Sequence, residues 1–160
     1  AWARAIQSAG RQTERVALLV WGDPSLYDSS LRIAQRLDPV PQIEVIPGIT
    51  AVQALCAAHA IPLNEIGEPF VVTTGRRLRD DGWPAGADTI VVMLDGEASF
   101  QKLDPNGVHI WWSAYLGMAN ELLVSGPLAE AGPRIVAMRE NARVTRGWIM
   151  DTYMLKRISD

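Results

Sequence analysis

The sequence predicts an α/β fold of two lobes, with parallel βα units first and a mixed sheet after them. Three observations carry this. Two apolar runs of strand length near the start are each followed by a Gly-Asp-Pro or Pro-Gly loop and then by helical spacing. After Ile61-Pro62 the helical spacing gives way to short β-branched runs punctuated by glycine and by Asp-Gly and Asn-Gly turns. The composition, 48% hydrophobic and 21% charged, is that of a chain able to bury a core.

Taken in order, Trp2, Ala5, Ile6 and Ala9 recur at spacings of three and four before Gly10, which predicts an opening helix over residues 1–9. A chain that opens on a helix without a start methionine reads as a piece of something longer. Val16-Ala-Leu-Leu-Val-Trp21 is a continuous apolar run, the pattern of a strand covered on both faces in a parallel sheet. Gly22-Asp-Pro24 stops it, and Leu26, Ser30, Ile33 and Leu37 then mark a helix that closes at Asp38-Pro-Val-Pro41. The unit repeats: Ile43-Glu-Val-Ile46 is a short strand, Pro47-Gly48 a turn, and Ile49, Val52, Leu55, Cys56 and His59 a helical face. Two successive βα units favour a parallel sheet with right-handed crossovers. The second lobe is then read as strands at 70–74, 89–94, 108–112, 121–124, 134–138 and 148–150, with few long helices. The division between lobes is set at residues 62 and 63, within a boundary region that runs from Ile61 to Pro69.

Charge and residue counts exclude several classes of function. A net charge of −3 and a pI near 5.4 argue against a general nucleic-acid binder. One cysteine, Cys56, leaves no disulfide framework, and two histidines, His59 and His109, give no zinc spacing. The expectation is a cytoplasmic protein without a metal. No apolar run approaches the ~20 residues of a membrane span, and the start does not resemble a signal peptide.

Ligands of open α/β sheets lie beyond the carboxyl ends of the strands, which directs attention to Trp21-Gly-Asp-Pro-Ser-Leu-Tyr27 and Pro47-Gly-Ile-Thr-Ala51. Gly22 and Gly48 permit close approach to the backbone, and each precedes a helix start with free amide donors. Asp23 is able to accept from an amine or hydroxyl; Asp23-Pro-Ser25 is equally the composition of an ordinary capping turn. Arg76, Arg77 and Arg79 lie beyond another strand end, where guanidinium groups suit carboxylates, although Asp80 and Asp81 are placed to neutralise them. Cys56 and His59 read as packing residues. Trp111-Trp112 puts one ring on each face of a strand, one for the core and one for an aromatic pocket. Residues 147–153 are a site edge or the last strand, and no Walker loop, GxGxxG or nucleophile motif occurs.

Val20-Trp-Gly-Asp-Pro-Ser-Leu-Tyr27 followed by Glu44-Val-Ile-Pro-Gly-Ile-Thr50 resembles the tetrapyrrole methylase family, whose GDPxxY and PGIT loops hold S-adenosylmethionine. Ile66-Gly-Glu-Pro69, Thr73-Thr-Gly-Arg-Arg77, Val91-Val-Met-Leu-Asp-Gly96, Ala114-Tyr-Leu-Gly117 and residues 147–153 are similar to its deacetylating branch in aerobic cobalamin biosynthesis. The resemblance implies a two-lobed tetrapyrrole-methylase-like fold and methylation of precorrin-5 at C1 with release of acetate. It also implies S-adenosylmethionine as methyl donor, a small-molecule tetrapyrrole substrate, no metal, nucleic-acid or membrane partner, and a homodimer. The alternatives are methylation of another precorrin, or a non-catalytic ligand-binding or dimerisation fragment.

By the same resemblance, Trp21, Gly22, Asp23, Leu26, Thr50, Ala51, Leu94 and Leu116 are the expected contacts to the methyl donor. Many relatives carry methionine at the place of Leu94, where the backbone faces the adenine. Tyr27, Arg76 and Arg77 are the expected substrate contacts, the arginines on their chemistry and their position beyond a strand end rather than on a family motif. No catalytic residue is assigned; Tyr27, Asp151 and Tyr153 are groups able to handle a proton. Relatives begin with a strand and a GxGxGxP-like loop that this sequence does not show, so the expectation is a fragment that retains the donor loops and the second lobe.

Overall fold

A computed structural model describes residues 15–158 of the chain. The helix expected over residues 1–9 lies outside the described residues. The chain divides into two compact units, residues up to Thr50 and residues from Ala51 onward.

In the first unit the described residues contain one short helix, α1 (Ser30–Ala34). Asp28 begins it by accepting from the Ser30 amide at 2.6 Å. The helix expected from Ser25 is shortened because residues 23–27 form a turn, in which the Leu26 amide donates to the Asp23 carbonyl at 3.3 Å and Tyr27 takes a left-handed φ of 52°. The strands expected at residues 16–21 and 43–46 are corrected: neither joins a ladder among the described residues, and Leu19 and Ile46 are 98% and 84% exposed. Apolar sequence gives a segment its tendency, but a strand also needs a neighbour for its N–H and C=O groups. No described residue supplies one.

The second unit begins with α2 (Ala51–His59) and continues β1 (Phe70–Thr74), α3 (Gly75–Asp81), β2 (Thr89–Met93), a 3₁₀ turn (Ser99–Lys102), β3 (Val108–Ala114), β4 (Leu122–Pro127), α4 (Leu128–Arg146) and β5 (Asp151–Arg157). The five strands form one mixed sheet in the order β1-β2-β5-β3-β4. Only β1 and β2 pair in parallel; β5 lies antiparallel between β2 and β3, and β4 is antiparallel to β3. Because β5 runs against both neighbours, β1, β2 and β3 all point the same way. Their carboxyl ends share one edge of the sheet with the start of β5, as the pairs Thr74↔Met93 and Ala114↔Asp151 show.

The register sets the core. Ile90, Val92, Ile110, Trp112, Tyr153 and Leu155 share one face and are buried with Phe100, Leu128, Ala131 and Ile135. Phe100 meets Tyr153 edge to face, with ring centroids 5.3 Å apart. On the opposite face α2 packs against β3 and β5, burying Val52 and Leu55, and the His59 Nε2 lies 3.1 Å from the Trp112 carbonyl oxygen. His59 and half-buried Cys56 are therefore packing residues, and burial pushes the Cys56 thiol up. Trp112 is fully buried, whereas Trp111 stacks on His109 on the other face.

Two assignments in this lobe are corrected. Residues 134–138 are not a strand but part of α4, a helix of 19 residues, so the lobe does contain a long helix. Its buried positions Leu128, Ala131, Gly132, Ile135, Arg139 and Ala142 recur at helical spacing, which the short Ile-Val run and Pro133 obscured. Residues 148–150 precede the last strand, which starts at Asp151. A helix also follows β1 where the sequence offered only a charge cluster; Thr74 caps it by accepting from the Arg77 amide at 3.4 Å.

If Ile135 sits in this core, Ile135→Ala lowers the unfolding free energy in urea by about 2–5 kcal/mol. A loss below about 0.5 kcal/mol, the range of surface substitutions, contradicts the packing of α4.

Candidate functional site

Asp23 joins the two loops of the first unit. Its Oδ1 accepts from the Ser25 amide at 2.8 Å and from the Ser25 hydroxyl at 2.5 Å, while its Oδ2 accepts from the Gly48 amide at 2.8 Å. These bonds, the Ser25 hydroxyl first and then the Gly48 and Ser25 amides, hold the carboxyl below its ordinary value of 3.8 against a small opposing effect of burial. The carboxylate is thus engaged in holding loop to loop. The loops also touch directly: a Cβ on Gly48 would stand against the Gly22 carbonyl, and Gly22 itself has a φ of 80°. Around this pair Trp21 is 75% exposed, Tyr27 is exposed, and Leu26 and Thr50 are half-buried.

In the second unit the expected residues converge on the shared carboxyl edge of the sheet. Leu94 directly follows β2, Leu116 lies two residues past the end of β3, and Arg76 and Arg77 follow β1. Leu94 is 69% exposed and takes a left-handed φ of 55°, and Tyr115, just before Leu116, has a φ of 56°. Among the described residues five non-glycine positions have positive φ, and three of them, Tyr27, Leu94 and Tyr115, belong to or adjoin expected site residues. Such strain gathers where a backbone is held for a purpose. The Tyr115 turn is held by its amide on the Met150 carbonyl at 2.9 Å, its hydroxyl on the Trp148 carbonyl at 3.2 Å, and the Gly117 amide on Glu121 at 2.7 Å.

The arginines separate by role. Arg79 is committed to Asp80 at 2.9 Å and Glu97 at 2.8 Å, and these two carboxylates raise its pKa. The exposed Arg76 and Arg77 guanidinium groups form no ion pair among the described residues. Asp80 thus neutralises Arg79 rather than the two arginines nearest the strand end.

Behind this edge lies a buried polar network that the sequence reading missed. Arg139 pairs with Asp151, Nε to Oδ2 at 2.6 Å, and its Nη2 donates to the Asp95 carbonyl at 2.7 Å. Trp112 donates its indole N–H to the same Asp151 oxygen at 2.8 Å. The Asp95 carboxylate accepts from the Tyr153 hydroxyl at 2.6 Å, from the Ser99 amide and hydroxyl at 2.6 and 2.9 Å, and from the Glu97 amide at 3.1 Å. Asp151 and Tyr153, read as able to handle a proton, are therefore committed inside the protein. Burial, then the Asp95 charge and hydrogen bond, push the Tyr153 phenol well above its ordinary 10.0. The available signal was the Leu-Asp-Gly step after β2, where an acid follows a buried strand. Among the described residues no cluster of three or more His, Cys, Asp or Glu is placed to hold a metal, and no helix is long and apolar enough to cross a membrane.

Because the folded carboxyl of Asp23 is depressed, its contribution is fully present above the ordinary value of 3.8 and is lost only as pH falls through the lower folded value. The Gly48 amide resonance accordingly holds its position down to pH 3.8 and moves below it, and the movement is absent in Asp23→Asn. A midpoint above 3.8 contradicts the bond. Gly48→Ala should displace this resonance at all pH values, since the added carbon and the Gly22 carbonyl cannot share the space.

Comparison with known proteins fits this arrangement. Residues 1–132 match the family of Tetrapyrrole (Corrin/Porphyrin) Methylases. The chain is 49% identical over 148 residues to the precorrin-6A synthase (deacetylating) of a Sinorhizobium species, covering 90% of this chain and 56% of that protein. A shorter match, 36% identity over 58 residues, is to the cobalt-precorrin-7 C(5)-methyltransferase of Salmonella typhimurium, covering 36% of this chain and 28% of that protein. The chain therefore spans little more than half the length of the first of these relatives. The crystal structure of a Corynebacterium diphtheriae protein described as cobalamin-synthesis related superposes with a TM-score of 0.86 at 42% identity, over 98% of this chain and 69% of that one. The uroporphyrin-III C-methyltransferase of Thermus thermophilus, solved with S-adenosylhomocysteine, shares the fold with a TM-score of 0.66 at 20% identity, over 96% of this chain and 71% of that one. With the family matched across most of its length, and its two signature loops joined through Asp23, this chain belongs to the tetrapyrrole (corrin/porphyrin) methylases.

Proposed function

We propose that the chain is part of an S-adenosylmethionine-dependent C-methyltransferase of aerobic cobalamin biosynthesis, which methylates precorrin-5 at C1 and releases acetate to give precorrin-6A. The observation that carries this is the 49% identity to a precorrin-6A synthase over 90% of the chain. A cytoplasmic homodimer is part of the same reading, on the resemblance alone.

The donor supplies a methyl group on a sulfonium, and the neutral thioether that departs needs no metal. What the protein contributes is position and dryness. In this reading Trp21, Gly22, Leu26, Thr50 and Ala51 bind the donor from the two loops that Asp23 holds together, and Leu94 and Leu116 bind it from the sheet edge. The residues suit it: glycine backbones allow close approach at 22 and 48, and exposed Trp21 and Leu94 offer apolar surface to a purine. Asp23 acts as a positioning residue, since both its oxygens already serve the loops. Arg76 and Arg77 orient the substrate through its carboxylates, as planar, permanently charged donors do, and Tyr27 supports it from the first loop. The electron pair that accepts the methyl group comes from the substrate's own conjugated carbon framework. Deacetylation transfers the acetyl group to water, with acetate as product, and no side chain is assigned to it.

A second reading, methylation of a different precorrin, is favoured by the match of 58 residues to a cobalt-precorrin-7 methyltransferase. Incubation of this chain, and of a longer protein that contains it, with S-adenosylmethionine and precorrin-5 separates the readings. Equal amounts of S-adenosylhomocysteine and acetate, with a product methylated at C1, are expected. Faster turnover of another precorrin supports the second reading, and absence of turnover with any precorrin supports a ligand-binding module. Arg76→Ala with Arg77→Ala is expected to raise the KM for the tetrapyrrole about tenfold or more, the worth of a charge-assisted hydrogen bond, without changing donor affinity.

A further inference from the structure

We propose that Arg139, braced by Asp151 and Trp112, and Tyr153 are positioning residues for the methyl donor, acting by fixing the Leu94-Asp95 backbone at the carboxyl edge of the sheet. The proposal rests on the donor reading above.

The backbone at this point has to be held. Leu94 is a branched residue at a φ of 55° whose side chain is largely in solvent, so packing of that side chain does not explain its conformation. What holds it is the next residue. Asp95 is buried, with its carbonyl taken by Arg139 and its carboxylate by Tyr153, Ser99 and the Glu97 amide. Gly75 leaves no room between this carboxylate and the start of α3, where any Cβ would overlap the Asp95 side chain. The loop thus packs directly against the start of α3, whose first turn carries Arg76 and Arg77. One residue on, the Gly96 carbonyl accepts from Arg143 at 2.5 Å, a second clamp from the same helix.

The bracing groups come from different elements. Arg139 lies on α4, Asp151 opens β5, Trp112 is on β3 and Tyr153 is on β5. Asp151 and Trp112 fix the plane of the Arg139 fork, and only then does its Nη2 reach the Asp95 carbonyl at 2.7 Å. A core stabilised by burial alone would not need two polar groups on one loop, one of them held by two more behind it. Arginine is suited to the place because its rigid fork serves a carboxylate and a carbonyl together, which a lysine ammonium cannot do in one geometry.

The test compares wild type, Tyr153→Phe, Arg139→Lys and Arg139→Met. It reads S-adenosylhomocysteine affinity by calorimetry, amide exchange at Gly96 and Glu97 without ligand, thermal unfolding, and KM against kcat in a longer protein that contains the chain. Tyr153→Phe removes one hydroxyl and keeps the ring, so it should stay folded while affinity falls about three- to tenfold, a part of what one charge-assisted bond is worth. Exchange at Gly96 and Glu97 should quicken, and KM for the donor should rise with kcat little changed. Arg139→Lys should lie between wild type and Arg139→Met. Folded variants that bind as tightly as wild type overturn the proposal and leave the donor reading intact. Failure of the wild type to bind overturns both, and is told apart by the wild-type titration itself.

Discussion

The buried pair between Arg139 and Asp151 is the interaction on which the sheet-bearing unit depends. Both side chains are 6% exposed, so each charge has left water at a cost that a single contact does not offset. The remainder is supplied by the Trp112 indole N–H on Asp151 and the Asp95 carbonyl on Arg139. One ion pair therefore joins the long helix, the central strand, its neighbour and the loop after β2. Removing any one group strands the others, which is why the network reads as a unit rather than as separate contacts.

Much of this unit was legible because its signals were local. Strands 70–74 and 89–93 announced themselves as β-branched runs between turn residues, and the observed bounds differ little from the expected ones. Helix α4 was not legible at residues 134–138, because an Ile-Val pair beside Pro133 has the appearance of a strand when its flanks are ignored. Only the six buried positions over about four turns reveal the helix, and burial is a property of the fold. The first unit failed in the opposite direction. Residues 16–21 and 43–46 have strand sequences, but a strand is completed by its neighbour, and sequence alone does not say whether one is present.

The site was legible through motif and placement more than through chemistry. The loops around Gly22 and Gly48 stood out as glycine turns after apolar runs, and the structure joins them through Asp23. That joining was not foreseen, since an aspartate before proline and serine is also an ordinary turn residue. Leu94 and Leu116 carry no chemistry that singles them out; what sets their region apart is a left-handed backbone at Leu94 and at Tyr115, visible only in three dimensions. Arg76 and Arg77 were chosen for charge and position, and among the described residues they form no ion pair. Asp95 and Arg139 lie 44 residues apart and meet only because α4 returns across the sheet.

Methyl-donor binding through loops joined by Asp23 is the central claim, and a calorimetric titration with S-adenosylhomocysteine tests it most directly. The account predicts saturable binding at one site per chain, lost or reduced about tenfold or more in a folded Asp23→Ala variant, whose loops lack the carboxylate that holds them. Binding of equal strength in both proteins would contradict it. So would an absence of binding to the wild-type chain and to a longer protein that contains it.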